Sequence, residues 1–83
     1  MRNLKERQLA KETLKTKLGF SPKLEDIIPL ESSHNNGVCT YVLFYVKGQQ
    51  DIQYSAARES LHSLVISKVN CYTKGIDNDI FVD

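Results

Sequence analysis

The sequence predicts an α+β domain in which a three-stranded antiparallel meander lies between an N-terminal and a C-terminal helix, in the order α-β-β-β-α. Three observations carry this prediction. Helix formers dominate the first 18 residues. Residues 38–48 are largely apolar on both faces of a strand. After residue 55 the spacing of apolar residues changes from the period of a strand to that of a helix. With 83 residues, we expect residues 1–83 to form one small domain.

The N-terminal helix is predicted over residues 3–18, within a basic segment formed by residues 1–20. Asn3 is a suitable N-cap, and Gly19 stands where a glycine commonly ends a helix. Leu9 is expected to point away from the apolar stripe. That stripe consists of Leu4, Ala10, Leu14 and Leu18, together with the aliphatic stems of Arg7 and Lys11.

Three strands are predicted next, joined by turns. Pro29 assigns residues 26–32 to a sheet edge, because proline cannot donate a backbone hydrogen bond to a neighbouring strand. Asn36 and Gly37 predict a hairpin turn before the long apolar strand, residues 38–48. Residues 51–56 follow as a third strand with one apolar and one polar face, so the most apolar strand lies in the middle of the meander.

The C-terminal helix is predicted from about Ser55 to Val69. Ala57, Leu61 and Leu64 recur at helical spacing, and Ser55 is available as an N-cap. The β-branched residues within residues 64–73 keep a strand open as the alternative. The tail, residues 74–83, is expected either to fray or to dock as a minor strand.

The spacing of reactive side chains points to no catalytic, metal or cofactor site. Structural zinc sites draw their ligands in pairs close in sequence, whereas the cysteines and histidines here are far apart: His34, Cys39, His62 and Cys71. No glycine-rich phosphate loop follows a strand, and a domain of this size has little room for a pocket. We therefore expect no enzyme activity, no metal and no cofactor.

Charge is distributed unevenly along a chain whose formal net charge is +1. Residues 1–24 are rich in Lys and Arg, whereas the remainder is acidic. A solvated helix face or charge matching within the fold would explain this pattern. Alternatively, Arg7, Lys11 and Lys15 steer an acidic partner. Without a secretory signal or an apolar run of membrane length, we expect a cytoplasmic protein with no membrane contact.

The central strand raises the question of what covers its second face. If the helices cover Val42, Phe44 and Val46, simple alternation leaves a second apolar stripe, together with Cys39, on the other side. Tyrosine is common at interfaces because it buries a large area and keeps a polar tip. We predict a partner interface made of Tyr41, Leu43, Tyr45 and Tyr54. The alternative is that the tail or a helix covers this face.

These features predict a small non-enzymatic protein that binds another protein. It would act as a homodimer or as an inhibitor or adaptor of a host protein, and in size and style it resembles the accessory proteins of phages and mobile elements.

Nucleic-acid binding through the basic N-terminal helix is the alternative. The stretch "SHNNG" places His34 between the first two strands, and the element order is similar to that of double-stranded RNA-binding domains, in which such a loop carries a histidine to the minor groove. The resemblance therefore implies that His34 contacts RNA. This sequence departs from that family at the second helix, where "SAARES" has Arg58 beside Glu59 instead of a lysine cluster.

Overall fold

A computed structural model describes residues 1–49, 51–60, 63–70 and 79–82, with side chains described up to residue 67. Within the described residues five strands follow one another in chain order across one antiparallel sheet, so the α+β class is confirmed but the predicted number of three strands is wrong. In chain order the elements are α1 (Leu4–Leu18), a 3-10 turn (Leu24–Asp26), β1 (Ile27–Asn35), β2 (Val38–Val46), β3 (Ile52–Arg58), β4 (Leu64–Asn70) and β5 (Asp79–Val82).

The helix α1 ends as predicted but begins differently. Gly19 adopts a left-handed φ of 68° and donates its N–H to the carbonyl of Lys15, which closes the last turn. Asn3 precedes the first turn with a φ of 56°, and its side chain makes no capping hydrogen bond. The predicted N-cap is therefore correct in position but not in its contact.

The buried stripe of α1 differs from the predicted one. Leu9, expected to point away, is only 2% exposed, whereas Leu4 is 44% exposed. The hydroxyl of Thr13 donates to the carbonyl of Leu9 over 2.7 Å, so this polar side chain is satisfied within the helix and can be buried. The predicted stripe contains apolar residues alone, so it omits Thr13 although this residue belongs to the buried face. The face that packs on the sheet consists of Leu9, Ala10, Thr13 and Leu14.

The hairpin between β1 and β2 follows the prediction at its turn. Asn36 and Gly37 have φ values of 52° and 79°, the left-handed conformation of both central residues in a type I′ turn. Within the described sheet β1 pairs with β2 alone, so Pro29 lies in an edge strand as predicted.

Two irregularities change the side-chain pattern of this hairpin. Leu30 is an extra residue in β1, and Thr40 is an extra residue in β2. Beyond Thr40 the alternation of β2 is therefore shifted by one residue. Cys39 pairs with His34 and lies on the same side of the sheet as Val42, instead of beside Tyr41 as simple alternation predicts.

The predicted C-terminal helix is wrong in the described part of the chain. Ser55 to Arg58 complete β3, and the next described element is the strand β4. Strand pairing explains this difference, because Ala56 lies opposite Ile66 and Ala57 lies opposite Val65. The β-branched residues of the segment suit this half-buried sheet better than a helix. Residues 79–82 of the predicted tail form β5, and residues 71–78 lie outside the described part.

The core lies between α1 and one face of the sheet. At its centre the rings of Phe44 and Tyr54 stack with centroids 5.5 Å apart and planes at 21°. Around this pair pack the largest fully buried side chains, which come from the helix and from three strands: Leu14, Ile27, Val42 and Ile66.

Candidate functional site

The candidate site is the face of the sheet opposite α1, which we term the open face. Val42, Phe44 and Val46 point toward α1 and are at most 4% exposed. The alternation of β2 then places Tyr41, Leu43 and Tyr45 on the other side, where each is half-buried. Strand pairing adds these described residues to the open face: Ile28, Glu31, Ser33, Gln53, Ser55, Ala57, Val65 and Ser67.

The open face has an apolar stripe whose neighbours are partly polar and partly apolar. Leu43 lies between Glu31 of β1 and Ser55 of β3, and Tyr41 lies opposite Ala57. Among the residues of this face whose side chains are described, Glu31 carries the one formal charge. Two phenol rings, an aliphatic side chain and several hydroxyls can bury area without removing many charges from water.

Tyr54 does not belong to this surface. It is 5% exposed, stacks on Phe44 in the core and donates its hydroxyl to Oε1 of Gln49 over 2.9 Å. Burial raises the pKa of its phenol above the usual value. Of the four residues predicted as an interface, three share the open face and Tyr54 lies on the opposite side of the sheet. The apolar face that β3 shows in the sequence is its core face.

The basic side chains predicted to steer a partner lie on α1, on the other side of the sheet. The guanidinium of Arg7 donates to the carbonyls of Leu24 and Ile27 over 3.0 and 2.7 Å. Lys11 donates to the carbonyl of Pro22 over 2.6 Å, whereas Lys15 is exposed. The charged groups of Arg7 and Lys11 are therefore engaged in hydrogen bonds within the fold. Backbone carbonyls leave no mark in a sequence, so these contacts could not have been assigned from it.

Three further side-chain contacts join α1 to the sheet. Nε2 of His34 lies 3.0 Å from Oε2 of Glu6, and the hydroxyl of Ser32 donates to the same carboxylate oxygen over 3.4 Å. Nη2 of Arg58 lies 3.5 Å from Oε1 of Glu12. The histidine that the resemblance to RNA-binding domains placed in a loop is thus in β1, against the helix. No group of three potential metal ligands occurs among the described residues.

Sequence reasoning missed a groove between α1 and the β1–β2 turn, with a volume of about 480 Å3. Cys39 forms part of its floor at 4% exposure. Burial raises the pKa of the Cys39 thiol, and the nearby carboxylate of Glu6 adds to this effect. The residues that line the groove are Lys5, Gln8, Leu9, Glu12, Gly37, Val38, Cys39 and Arg58.

Comparisons with protein-family models, curated proteins and solved structures find no match to this chain. Within the described residues, none of the helical segments has the length and apolar character needed to cross a membrane.

Proposed function

We propose that this chain is a small non-enzymatic protein that binds another protein through the open face. The observation that carries this proposal is the stripe of Tyr41, Leu43 and Tyr45, which lies half-buried on the side of the sheet that faces away from α1. Aromatic side chains that combine a large apolar area with a polar tip are enriched at the centres of protein interfaces.

The charge pattern of the open face defines the partner that would fit it. An apolar stripe that carries tyrosine hydroxyls and has serine hydroxyls beside it suits a flat apolar patch that also offers hydrogen-bond donors. Because Glu31 contributes the one formal charge among the side chains described up to residue 67 on this face, that part of the surface can be buried with few charges desolvated.

Binding without chemistry acts by covering a surface. A chain of 83 residues that docks through one sheet face can block a larger protein or bring two proteins together, which are the actions of an inhibitor and of an adaptor. A second copy of the chain is the simplest partner, because two open faces have the same apolar character.

Nucleic-acid binding has less support from the geometry. A single strand would need rings for stacking and cations for phosphates on one surface. Tyr41 and Tyr45 lie on the open face, whereas the cluster of lysines and arginines in α1 lies on the other side of the sheet. His34 is engaged with Glu6.

The double substitution Tyr41→Ser and Tyr45→Ser tests the proposal. Because both rings lie on the open face outside the core, we expect the protein to keep its circular dichroism spectrum and a cooperative unfolding transition. Association should weaken at least about tenfold, as the loss of central aromatic contacts commonly does. Light scattering measures self-association, and comparative affinity capture with the wild-type and variant chains measures binding to other proteins.

Two controls accompany this test. Lys15→Ser changes an exposed residue of α1 and should leave association unchanged. Tyr54→Ser removes a buried ring and should destabilise the fold by about 3–5 kcal/mol, which calibrates the effect of a core substitution. If the double variant and wild type associate equally, the open face is not the interface. A gel shift with RNA or DNA at low salt would favour the nucleic-acid alternative.

A further inference from the structure

We propose that the groove between α1 and the β1–β2 turn is a binding site for a small monocarboxylate with an apolar body. This site lies on the α1 side of the sheet and is independent of the open face. Its volume of about 480 Å3 falls within the range of small-ligand clefts, which is roughly 300–1,000 Å3.

The floor of the groove is apolar and well packed. Leu9 from α1 is 2% exposed and Cys39 from β2 is 4% exposed, so both are held by the core beneath them. Val38 beside them is 48% exposed, so apolar surface of the groove is in contact with water. A ligand with an aliphatic body would cover Val38 and remove apolar surface from water.

The charged lining favours one negative charge. Lys5 and Arg58 contribute two cations, and Glu12 contributes one carboxylate, which leaves an excess of one positive charge. The carboxylate of Glu6 does not line the groove; its Oε2 lies 3.0 Å from Nε2 of His34 and accepts from the hydroxyl of Ser32. A monoanion balances this lining, whereas a doubly charged phosphate would exceed it.

Lys5 is the residue best placed to receive the anion. Its ammonium group donates to the carbonyl of Gly37 over 2.5 Å, which fixes the side chain at the edge of the groove. An ammonium has three donors, so two are available after this contact. A hydrogen bond between an ammonium and a carboxylate is charge-assisted and stronger than one between neutral groups.

The test uses hexanoate as the probe and hexan-1-ol as its matched uncharged analogue. In the wild-type chain labelled with 15N, hexanoate should shift the amide resonances of Gln8, Gly37 and Val38 in a saturable manner. Hexan-1-ol should bind at least about tenfold more weakly, because it cannot form the charge-assisted contact. Lys5→Gln should weaken hexanoate by about tenfold, whereas Lys15→Gln should leave its affinity unchanged.

A second measurement follows the reactivity of Cys39 at the floor of the groove in the wild-type chain. Hexanoate should slow the alkylation of Cys39 by iodoacetamide, and peptide mass spectrometry distinguishes this cysteine from Cys71. Equal affinity for hexanoate and hexan-1-ol would overturn the proposal, as would unchanged alkylation of Cys39 when the amide shifts are saturated. Amide shifts centred on Tyr41 and Leu43 would also overturn it, because they would place the bound carboxylate on the open face and not in the groove. If Lys5→Gln does not fold, the pair of probes and the alkylation rate still decide.

Discussion

Cys39 lies in the strand that the sequence predicts, but its side chain lies on the opposite face from the predicted one. Simple alternation assigns it to the side of Tyr41, and the extra residue Thr40 moves it to the core side. Neither glycine nor proline marks this bulge, so nothing in the local sequence identifies it. The assignment of Tyr41, Leu43 and Tyr45 to one face was predictable because the bulge lies outside that stretch.

The buried thiol predicts how stability depends on pH. Burial raises the pKa of Cys39 in the folded state, so the native protein holds this proton over an interval in which the unfolded chain releases it. The contribution of Cys39 to the free energy of unfolding should therefore be fully present below pH 9.0, the usual pKa of a thiol. It should be lost as the pH rises through the pKa of the thiol in the folded protein. Urea unfolding at a series of pH values measures this decline.

Cys39→Ala provides the control for this prediction. The variant should lose the part of the decline that begins near pH 9.0 and keep the part that begins near pH 10.0, since Tyr54 is also buried with a raised pKa. A decline of the same size in the variant and in wild type would show that Cys39 does not cause it.

At the level of elements, the sequence predicts correctly those features that depend on neighbouring residues alone, namely the end of α1 and the hairpin turn. Gly19 ends α1 and the Asn36–Gly37 turn closes the hairpin because both need left-handed backbone, which particular residues supply. The segment after residue 55 was misassigned because its apolar spacing fits a helix as well as a strand. Pairing with β3 decides in favour of a strand, and such pairing is a tertiary contact that a short window of sequence does not contain.

Arg7 fixes the start of α1 to the chain that enters β1, and its removal should be costly. Arg7→Ala would leave the carbonyls of Leu24 and Ile27 without this donor, so we expect a loss of about 1–3 kcal/mol. Lys15→Ala, an exposed change in the same helix, should stay within about 0.5 kcal/mol of wild type. Equal free energies of unfolding for the two variants would show that these hydrogen bonds do not stabilise the fold.

At the scale of the whole molecule, the sheet separates two surfaces of different character. The open face carries Tyr41, Leu43 and Tyr45, whereas the groove with Lys5 lies on the α1 side. The apolar stripe was predictable because strand alternation is a regular pattern. The groove was not, since it combines residues from α1, the hairpin turn, β2 and β3, which only the folded chain brings together.

The two surfaces should respond to substitution independently, because the sheet lies between them. Tyr45→Ser should leave the protection of Cys39 by hexanoate unchanged, and Lys5→Gln should leave association through the open face unchanged. Alkylation rates and light scattering on the two single variants and the double variant measure this. An effect in the double variant that differs from the sum of the single effects would reveal coupling across the sheet.

The irregular edge of β1 has a consequence for how copies of this protein meet one another. Pro29 has no N–H to offer, Leu30 interrupts the regular pairing, and Glu31 adds a charge at the same place. Such an edge is a poor template for an incoming strand. If copies contact through their open faces as proposed, we therefore expect discrete assemblies whose sheets do not extend into fibrils at this edge.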